Sequence, residues 1–441
     1  MTRVLYWNIE NFAINKIQNP NTRKRQRGGG LKVNLASQQR FTYIARHVAE
    51  TDPDIFIIVE VETPYNNNRG VLCGGGGALG LSTLLTYLQG QNAAWWLVPP
   101  LITGNKESVG VFFRGDRVTF DGPEQWNGGV GPTVPGLAAV ASTPYPAPWN
   151  NSLPPGNNAA ARVQFEMTGG AMPPVNVVFG DGVRHPYQTR FTDATGRTID
   201  IFSVHAPANY VGATAFLANM ATMEDVASAP GGNELRLVLG DFNLALLDIA
   251  NSVYTNCYAP LTNLGNAYTV ALLPAGSLPL PSAPPPNPPD GFRGYFATHM
   301  RPKNNARCWS TNPSIAYYPG YYYTGDGNGL ANESIDNVLY LAGVGGLPAA
   351  PDLTVINGVV GSPYANAGAN PGGVCPQGTQ AFTVDINWDW AGLNLQWANG
   401  EAPNVAPQYA LQPGVRRWFL GWNVFGMIRS TSDHLPLFFN G

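Results

Sequence analysis

The sequence predicts an α/β fold, in which short apolar strands alternate with amphipathic helices along 441 residues. Three observations carry this expectation. Strand-length apolar runs of buried type recur from Val4, Ile55, Val109, Ile199 and Leu235. Leu35, Phe41, Ile44, Ala45 and Val48 recur at helical spacing over residues 34–50. Several strands end on a polar residue with metal-binding or proton-transfer chemistry: Asn8, Glu60, His205 and Asp241.

Hydrophobic residues make up 44% of the chain, ample for a core, whereas charged residues are only 12%. The 51 glycines and 39 prolines predict many long loops. A net charge of −3 gives no global field for a polyanion, so nucleic-acid binding would need a local patch. No run approaches the roughly 18 apolar residues of a membrane span. The first twelve residues lack a basic region followed by an apolar one and read as a strand, not a signal peptide. The chain is therefore expected to be cytoplasmic, a mature fragment, or exported by a non-classical route, and the compartment stays open. Cys73, Cys257, Cys308 and Cys375 contain no CxxC spacing, which argues against zinc on these thiols. Free buried thiols are one reading; a Cys257–Cys308 disulfide closing a long loop is the other.

In chain order, VLYW from Val4 forms a strand that delivers Asn8, as a turn residue or a ligand-orienting amide. Residues 16–27 hold five basic side chains, Lys16, Arg23, Lys24, Arg25 and Arg27, followed by three glycines. They form either a solvated loop or a phosphate-contacting arm. After the helix over 34–50, Asp52-Pro53-Asp54 stops it and IFIIV leads into Glu60, with Glu62 following on the same side. A carboxylate at the end of a fully apolar strand is costly unless paired or bound to a cation, which favours a metal ligand. Gly74 to Gly77 read as a flexible insert, and residues 82–88 as a short helix. Lys106-Glu107-Ser108 leads into the strand VGVFF. Residues 122–160 read as loop. Arg184-His185-Pro186 precedes a strand from Tyr187, and TIDIFSV delivers His205 before Ala206-Pro207. A core histidine and a catalytic one both fit that position.

Residues 213–226 form a helix by the spacing of Phe216, Leu217, Met220 and Val226. Next, LRLVLG runs into Asp241-Phe242-Asn243, an acid and an amide that point the same way on extended chain. Turn chemistry also explains those residue types. Residues 274–289 hold eight prolines and read as a polyproline connector, and 317–323 as a tyrosine cluster that packs on itself or stacks bases. SIDNVLY from Ser334 is a strand with Asp336 near its start. Residues 343–406 read as irregular, 418–428 as apolar and aromatic, and the chain closes on Ser432-Asp433-His434-Leu435-Pro436-Leu437. Candidate ligands spread from residue 8 to 434 predict one catalytic domain, 1–441, with inserts near 122–160, 274–323 and 343–406.

Taken together, WNIENF at Trp7, DIFIIVEVE at Asp54, KESVGVFFR at Lys106, RHPYQTRF at Arg184, IFSVHAP at Ile201, GDFN at Gly240, SIDNVLY at Ser334 and SDHLPLFF at Ser432 resemble one family. It is the endonuclease/exonuclease/phosphatase superfamily, and within it the deoxyribonuclease I-like enzymes. The resemblance spans nearly the whole chain. It implies two packed mixed β-sheets flanked by helices, a four-layer sandwich with long loop insertions here. It also implies roles. Asn8 and Glu60 match positions that hold a divalent ion, and Asp433 an acid beside it. Asp241 and Asn243 match the pair near the attacked phosphate and the nucleophile. His205 with Glu107, and His434 with Asp336, match the two histidine–carboxylate pairs, and Arg184 a phosphate-contacting arginine. The implied function is a metal-dependent nuclease hydrolysing phosphodiester bonds of DNA through metal-activated water. Mg²⁺ (or Mn²⁺) is the implied cofactor and Ca²⁺ a candidate structural ion.

The chemistry wants these residue types on independent grounds. Oxygen donors suit Mg²⁺. A phosphodiester transition state needs cationic stabilisation. A histidine beside a carboxylate exchanges protons near neutral pH in a fixed tautomer. One departure stands out: Glu62 occupies the place where the nucleases resembled here carry a groove-reading basic residue, and the 16–27 arm could replace it. Two alternatives follow. One is a phosphatase or phosphodiesterase acting on a phospholipid or inositol phosphate. The other is an idle binding module of the same fold.

Overall fold

The computed structural model describes residues 1–17, 24–25, 31–32, 35–63, 70–72, 75–104, 106–128, 140–144, 184–244, 247–248, 253–272, 298–299, 335–347, 349–357, 379–381 and 431–441. Two mixed sheets dominate them. Across the eight-stranded sheet the order is Thr379–Ala381, Asp352–Asn357, Leu437–Asn440, Arg3–Phe12, Ile55–Glu62, Glu107–Arg114, Trp95–Gly104 and Gly70–Val71. Across the seven-stranded sheet it is Thr269–Val270, Asp336–Ala342, Glu234–Asp241, Thr198–His205, Tyr187–Asp193, Val118–Gly128 and Val140–Pro144. Each sheet has a parallel pair at its centre, Arg3–Phe12 with Ile55–Glu62 and Thr198–His205 with Glu234–Asp241, and the eight-stranded sheet has a second at its edge, Asp352–Asn357 with Thr379–Ala381.

Period-2 alternation sorts the strand residues into two cores. Ile199, Ile201, Leu235, Leu237, Leu239 and Val338 join one buried cluster with Val4, Ile55 and Val111 of the other sheet. Their neighbours Phe202, Val204, Val238 and Leu339 face the opposite way and pack with Phe216, Leu217, Met220 and Val226 of the helices Tyr210–Met220 and Glu224–Ala227. Helices Leu35–Thr51 and Gly75–Gln91 cover the outside of the first sheet. Trp7 meets Tyr43 edge-on with ring centroids 5.7 Å apart. The layering is the four-layer α/β sandwich expected.

The glycine stretch departs from expectation. Helix Gly75–Gln91 begins inside the run read as a flexible insert and is far longer than residues 82–88. Packing explains it. A Cβ on Gly77 would stand 2.0 Å from the Glu62 carbonyl, and one on Gly80 2.9 Å from the Ala13 backbone. The helix touches backbone there, and only glycine permits that approach, at a cost in helix propensity that burial offsets. Part of 122–160 is also not loop, because Val118–Gly128 pairs with Val140–Pro144 as an edge hairpin. Within 343–406, Asp352–Asn357 is a strand paired with both Leu437–Asn440 and Thr379–Ala381. Trp95–Gly104, interrupted by Pro99-Pro100, was not expected. Ladder pairing, with a neighbouring strand for Trp95–Gly104 and Val140–Pro144 and with a distant one for Asp352–Asn357, overrides weak local pattern in these cases. The stretches 274–289, 317–323 and 418–428 lie outside the described residues. Among the described residues Cys257 is a buried free thiol, its pKa pushed up to about 11 by burial, and Cys73, Cys308 and Cys375 lie outside them.

Charge collects at the strand ends opposite Asn8. Arg3, Arg114 and Arg117 bind Asp52 and Asp54, with Arg117 2.7 Å from Asp52 and 3.1 Å from Asp54. Among the described residues no helix is long and apolar enough to cross a membrane.

His47 makes this packing pH-sensitive. It is fully buried between Trp7 and Tyr43 and donates from Nδ1 to the Tyr43 carbonyl at 2.8 Å. Burial lowers its pKa to about 3. Between pH 6 and 4 the unfolded chain therefore holds a proton that the folded chain refuses, and stability falls with pH. Urea unfolding across that range should show wild type losing up to about 1.4 kcal/mol per pH unit more than His47→Phe, the slope of one proton. Parallel slopes would contradict the assignment.

Candidate active site

Strand parity builds the site. Residues 199, 201, 203 and 205 alternate onto one face, as do 235, 237, 239 and 241, so His205 and Asp241 continue the rows that fill the space between the sheets. Register then sets them side by side. His205 pairs with Asp241 across the parallel ladder, and Asp241 with Asp336 across the antiparallel one. From the facing sheet, Tyr6 and Asn8 project on the same side of their strand. The closing strand pairs Leu5 with Phe438, which brings residues 431–434 alongside Asn8. Ser432 Oγ donates to the Asn8 carbonyl, and Trp7 Nε1 donates to the His434 carbonyl at 2.9 Å.

Strained backbone gathers at the same rim. Of the non-glycine residues described with positive φ, Asn11 (50°), Glu60 (59°), Lys106 (63°) and Asn243 (50°) border it, and Asp52 alone lies at the far end. At Glu60 the ladder skips from Asn8↔Val59 to Phe12↔Val61. This bulge turns Glu60 inward, so that Asn8 Nδ2 donates to Oε1 at 3.1 Å and the Asn11 N–H to Oε2 at 3.2 Å. Glu62, past the bulge, is exposed. Gly240 has φ +151°, and a Cβ there would stand 2.0 Å from the Val204 carbonyl. The strands carrying His205 and Asp241 approach too closely for any other residue.

Two imidazole–carboxylate pairs converge on Asp241. His205 Nδ1 is 2.9 Å from Glu107 Oε2, and its Nε2 stands 3.6 Å from Asp241 Oδ2 and 3.5 Å from Glu60 Oε1. His434 Nδ1 is 2.7 Å from Asp336 Oδ2, and its Nε2 stands 3.7 Å from the same Asp241 Oδ2. Asn8 Nδ2 donates to Asp241 Oδ2 at 3.1 Å, and the Asn243 N–H to Asp241 Oδ1 at 2.9 Å. Tyr6 Oη donates to Asp336 Oδ1 at 3.1 Å.

The charges are strongly coupled. Burial disfavours the imidazolium of His434, but Asp336, Asp241 and Asp433 outweigh it and hold its pKa well above the usual histidine range. His205 is raised likewise, with burial overcome by Glu107 and Asp241. Burial and the negative charge of Asp336 raise Asp241, and the two histidines pull it back. Glu107 is held low despite burial, by His205 and Arg184.

The remaining expected residues fall as follows. Arg184 Nη2 donates to Glu107 Oε1 at 2.6 Å and Nη1 to the Ala206 carbonyl at 2.5 Å, so its guanidinium braces the Glu107–His205 pair. Asn243 Nδ2 donates to the same Ala206 carbonyl at 2.9 Å. Asp433 stands with His299 and His434. Lys16 Nζ donates to the Glu10 carbonyl, and burial lowers its pKa to about 8 against the pull of Glu10 and Asp433. Lys24 and Arg25 form a two-residue strand paired with Leu31–Lys32, while Arg23 and Arg27 lie outside the described residues. Sequence reasoning missed Tyr6, which same-face spacing from Asn8 could have exposed. It also missed His299, which no strand pattern or motif marks.

The donor set suits a hard divalent cation. Glu60, His205 and Asp241 offer ligand atoms within 4.8 Å of one another, and the buried Asn8 Oδ1 has no hydrogen-bond partner among the described residues. Carboxylate and amide oxygens are what Mg²⁺ or Mn²⁺ take.

No family model matches the sequence, and no curated protein does. Among solved structures, the chain is similar to D. rerio TDP2 complexed with single-strand DNA product, at TM-score 0.40 and 12% identity, covering 100% of this chain and 99% of that one. It is similar to the human Nocturnin catalytic domain with bound sulfate anion, at TM-score 0.36 and 12% identity over 80% and 84% of the two chains. An endonuclease/exonuclease/phosphatase family protein from Bacteroides thetaiotaomicron gives 0.35 and 13% over 77% and 82%.

Two outcomes test this geometry. Gly240→Ala should destabilise the fold by at least about 1–3 kcal/mol in urea unfolding, because the intruding methyl forces apart two paired strands. Asp336→Asn should lower the His434 pKa, read from its ring proton shifts in an NMR pH titration. An unmoved titration would show that Asp336 does not hold that imidazole.

Proposed function

We propose that this chain is a metal-dependent phosphodiesterase of the endonuclease/exonuclease/phosphatase superfamily, a single catalytic domain whose substrate is nucleic acid. One observation carries the reading. Two histidines, each backed by its own carboxylate, point their Nε2 atoms at one buried aspartate from opposite sides, at 3.6 and 3.7 Å. Core histidines do not need such a frame, whereas a reaction that takes a proton from a nucleophile and gives one to a leaving group does.

In this reading Glu60, Asp241 and Asn8 Oδ1 hold the divalent cation, and Asp433 bounds the site. When bound, such an ion supplies Lewis-acid polarisation of a phosphoryl oxygen and lowers the pKa of water. Asp336 holds His434 Nδ1 by a hydrogen bond, which fixes its tautomer, and Glu107 pairs with His205 Nδ1 as an ion pair at 2.9 Å; both leave Nε2 facing the reacting groups. His205 and His434 divide acid and base roles between them. Asp241 and Asn243 orient the nucleophile. Arg184 keeps Glu107 charged and, with the part of its guanidinium left exposed, faces phosphate.

Nucleic acid is favoured over a lipid or inositol phosphate by the basic arm 16–27. Its first member, Lys16, donates to the Glu10 carbonyl and feels the charges of Asp433 and Glu60, which supports a basic residue near the site.

Supercoiled plasmid DNA with Mg²⁺ should be nicked, and EDTA should stop the reaction. His434→Ala and His205→Ala should each lower the rate by about 10²–10⁴-fold, the usual contribution of a positioned acid or base. Equal nicking by wild type and His434→Ala would sink the mechanism. Inert DNA with phosphate release from an inositol phosphate would transfer the same chemistry to the other substrate class.

A further inference from the structure

We infer that His299, Asp433 and His434 form a second cation site, distinct in donor chemistry from the oxygen-rich one and selective for a borderline transition ion such as Zn²⁺ or Co²⁺. His299 Nε2 lies 3.6 Å from Asp433 Oδ2, and His434 Nε2 lies 3.8 Å from Asp433 Oδ1. One ligand atom from each residue falls within 4.8 Å of the other two. Donors about 2.1 Å from a tetrahedral ion stand about 3.4 Å apart; the two histidine–Asp433 pairs, at 3.6 and 3.8 Å, are near that spacing, and the widest separation, within 4.8 Å, closes by side-chain rotation. Two imidazoles and one carboxylate are a donor set typical of zinc, whereas Mg²⁺ prefers oxygen.

The surroundings hold the donors in place. Asp336, at 2.7 Å, occupies His434 Nδ1 and leaves Nε2 between Asp241 and Asp433, at 3.7 and 3.8 Å, the carboxylate–histidine arrangement that orients metal-bound imidazoles. The His299 and His434 rings lie 4.9 Å apart and their backbones form a bridge. Thr298 ties that bridge to the strands beside it. Its carbonyl accepts the Leu435 N–H at 2.7 Å, and its Oγ1 accepts the N–H groups of Ile335 and Asp336 at 3.1 and 3.0 Å. The segment 274–323, expected only as an insert, thus contributes a ligand to the rim. An ion here takes His434 Nε2 out of proton exchange and so restrains the hydrolysis proposed above. That consequence rests on the proposed function, whereas the binding itself does not.

Co²⁺ is the probe, added to the full chain with excess Mg²⁺ to fill the oxygen-donor site. Wild type should develop the intense visible absorption of low-coordinate cobalt with nitrogen ligands, saturating at one equivalent and displaced by Zn²⁺. His299→Ala, checked for folding by circular dichroism, should weaken Co²⁺ binding at least about tenfold, since even second-shell partners of a ligand are worth about 10–100-fold. His299→Cys, which replaces the imidazole with a thiolate ligand, should recover the band with an added sulfur-to-cobalt charge-transfer feature. Absence of the band in wild type, or its persistence unchanged in folded His299→Ala, would overturn the inference. A band with no phosphodiesterase activity would leave this site standing and remove the functional reading alone.

Discussion

A carboxylate buried between two imidazoles is the interaction on which the rest of the site depends. Asp241 is 2% exposed and sits next to Asp336, a second buried acid. Two negative charges in that position would be prohibitively costly by themselves. They persist because His205 and His434 flank Asp241, because Asn8 and the Asn243 N–H donate to it, and because each histidine has its own carboxylate. Each charge is thus held by its neighbours, and removing one partner leaves several others unbalanced. A cation among Glu60, Asp241 and Asn8 would relieve the surplus of acid.

The fold produces this arrangement through register more than through loops. Three adjacent strands of one sheet present His205, Asp241 and Asp336 at the same level, on the face that lower down carries leucine and isoleucine. The opposite sheet supplies Asn8 and Glu60 where its hydrophobic stripe likewise runs out. Groups on packed strands are positioned more firmly than groups on loops, which suits proton transfer over hydrogen-bond distances. The bulge at Glu60 and the close strand approach at Gly240 are local departures from regular geometry, and both serve to aim a carboxylate into the rim.

Packing against backbone recurs elsewhere. Helix Gly75–Gln91 gives up helix propensity at its start to lie directly on the Glu62 carbonyl, near the end of the strand that carries Glu60. The arginine–aspartate network at the opposite strand ends binds the two turns that hold the central parallel pair in register. Among the described residues charge therefore gathers at the two ends of the sheets, as an arginine–aspartate network at one and the candidate site at the other.

The amino-acid sequence by itself determined the strands, their inward faces and the polar residue on which each one ends, because period-2 alternation and the cost of a buried charge are local properties. Asn8, Glu60, His205 and Asp241 were legible for that reason, whereas Asp336 and His434 entered through the resemblance of SIDNVLY and SDHLPLFF to the superfamily's motifs. Tertiary structure alone decided that Arg184 braces Glu107, that three glycines begin a helix, that parts of two expected loops are edge strands, and that Thr298-His299 reaches His434. Each of these depends on what lies across a sheet or a helix interface from residues far away in the chain. No local pattern encodes the identity of that distant neighbour.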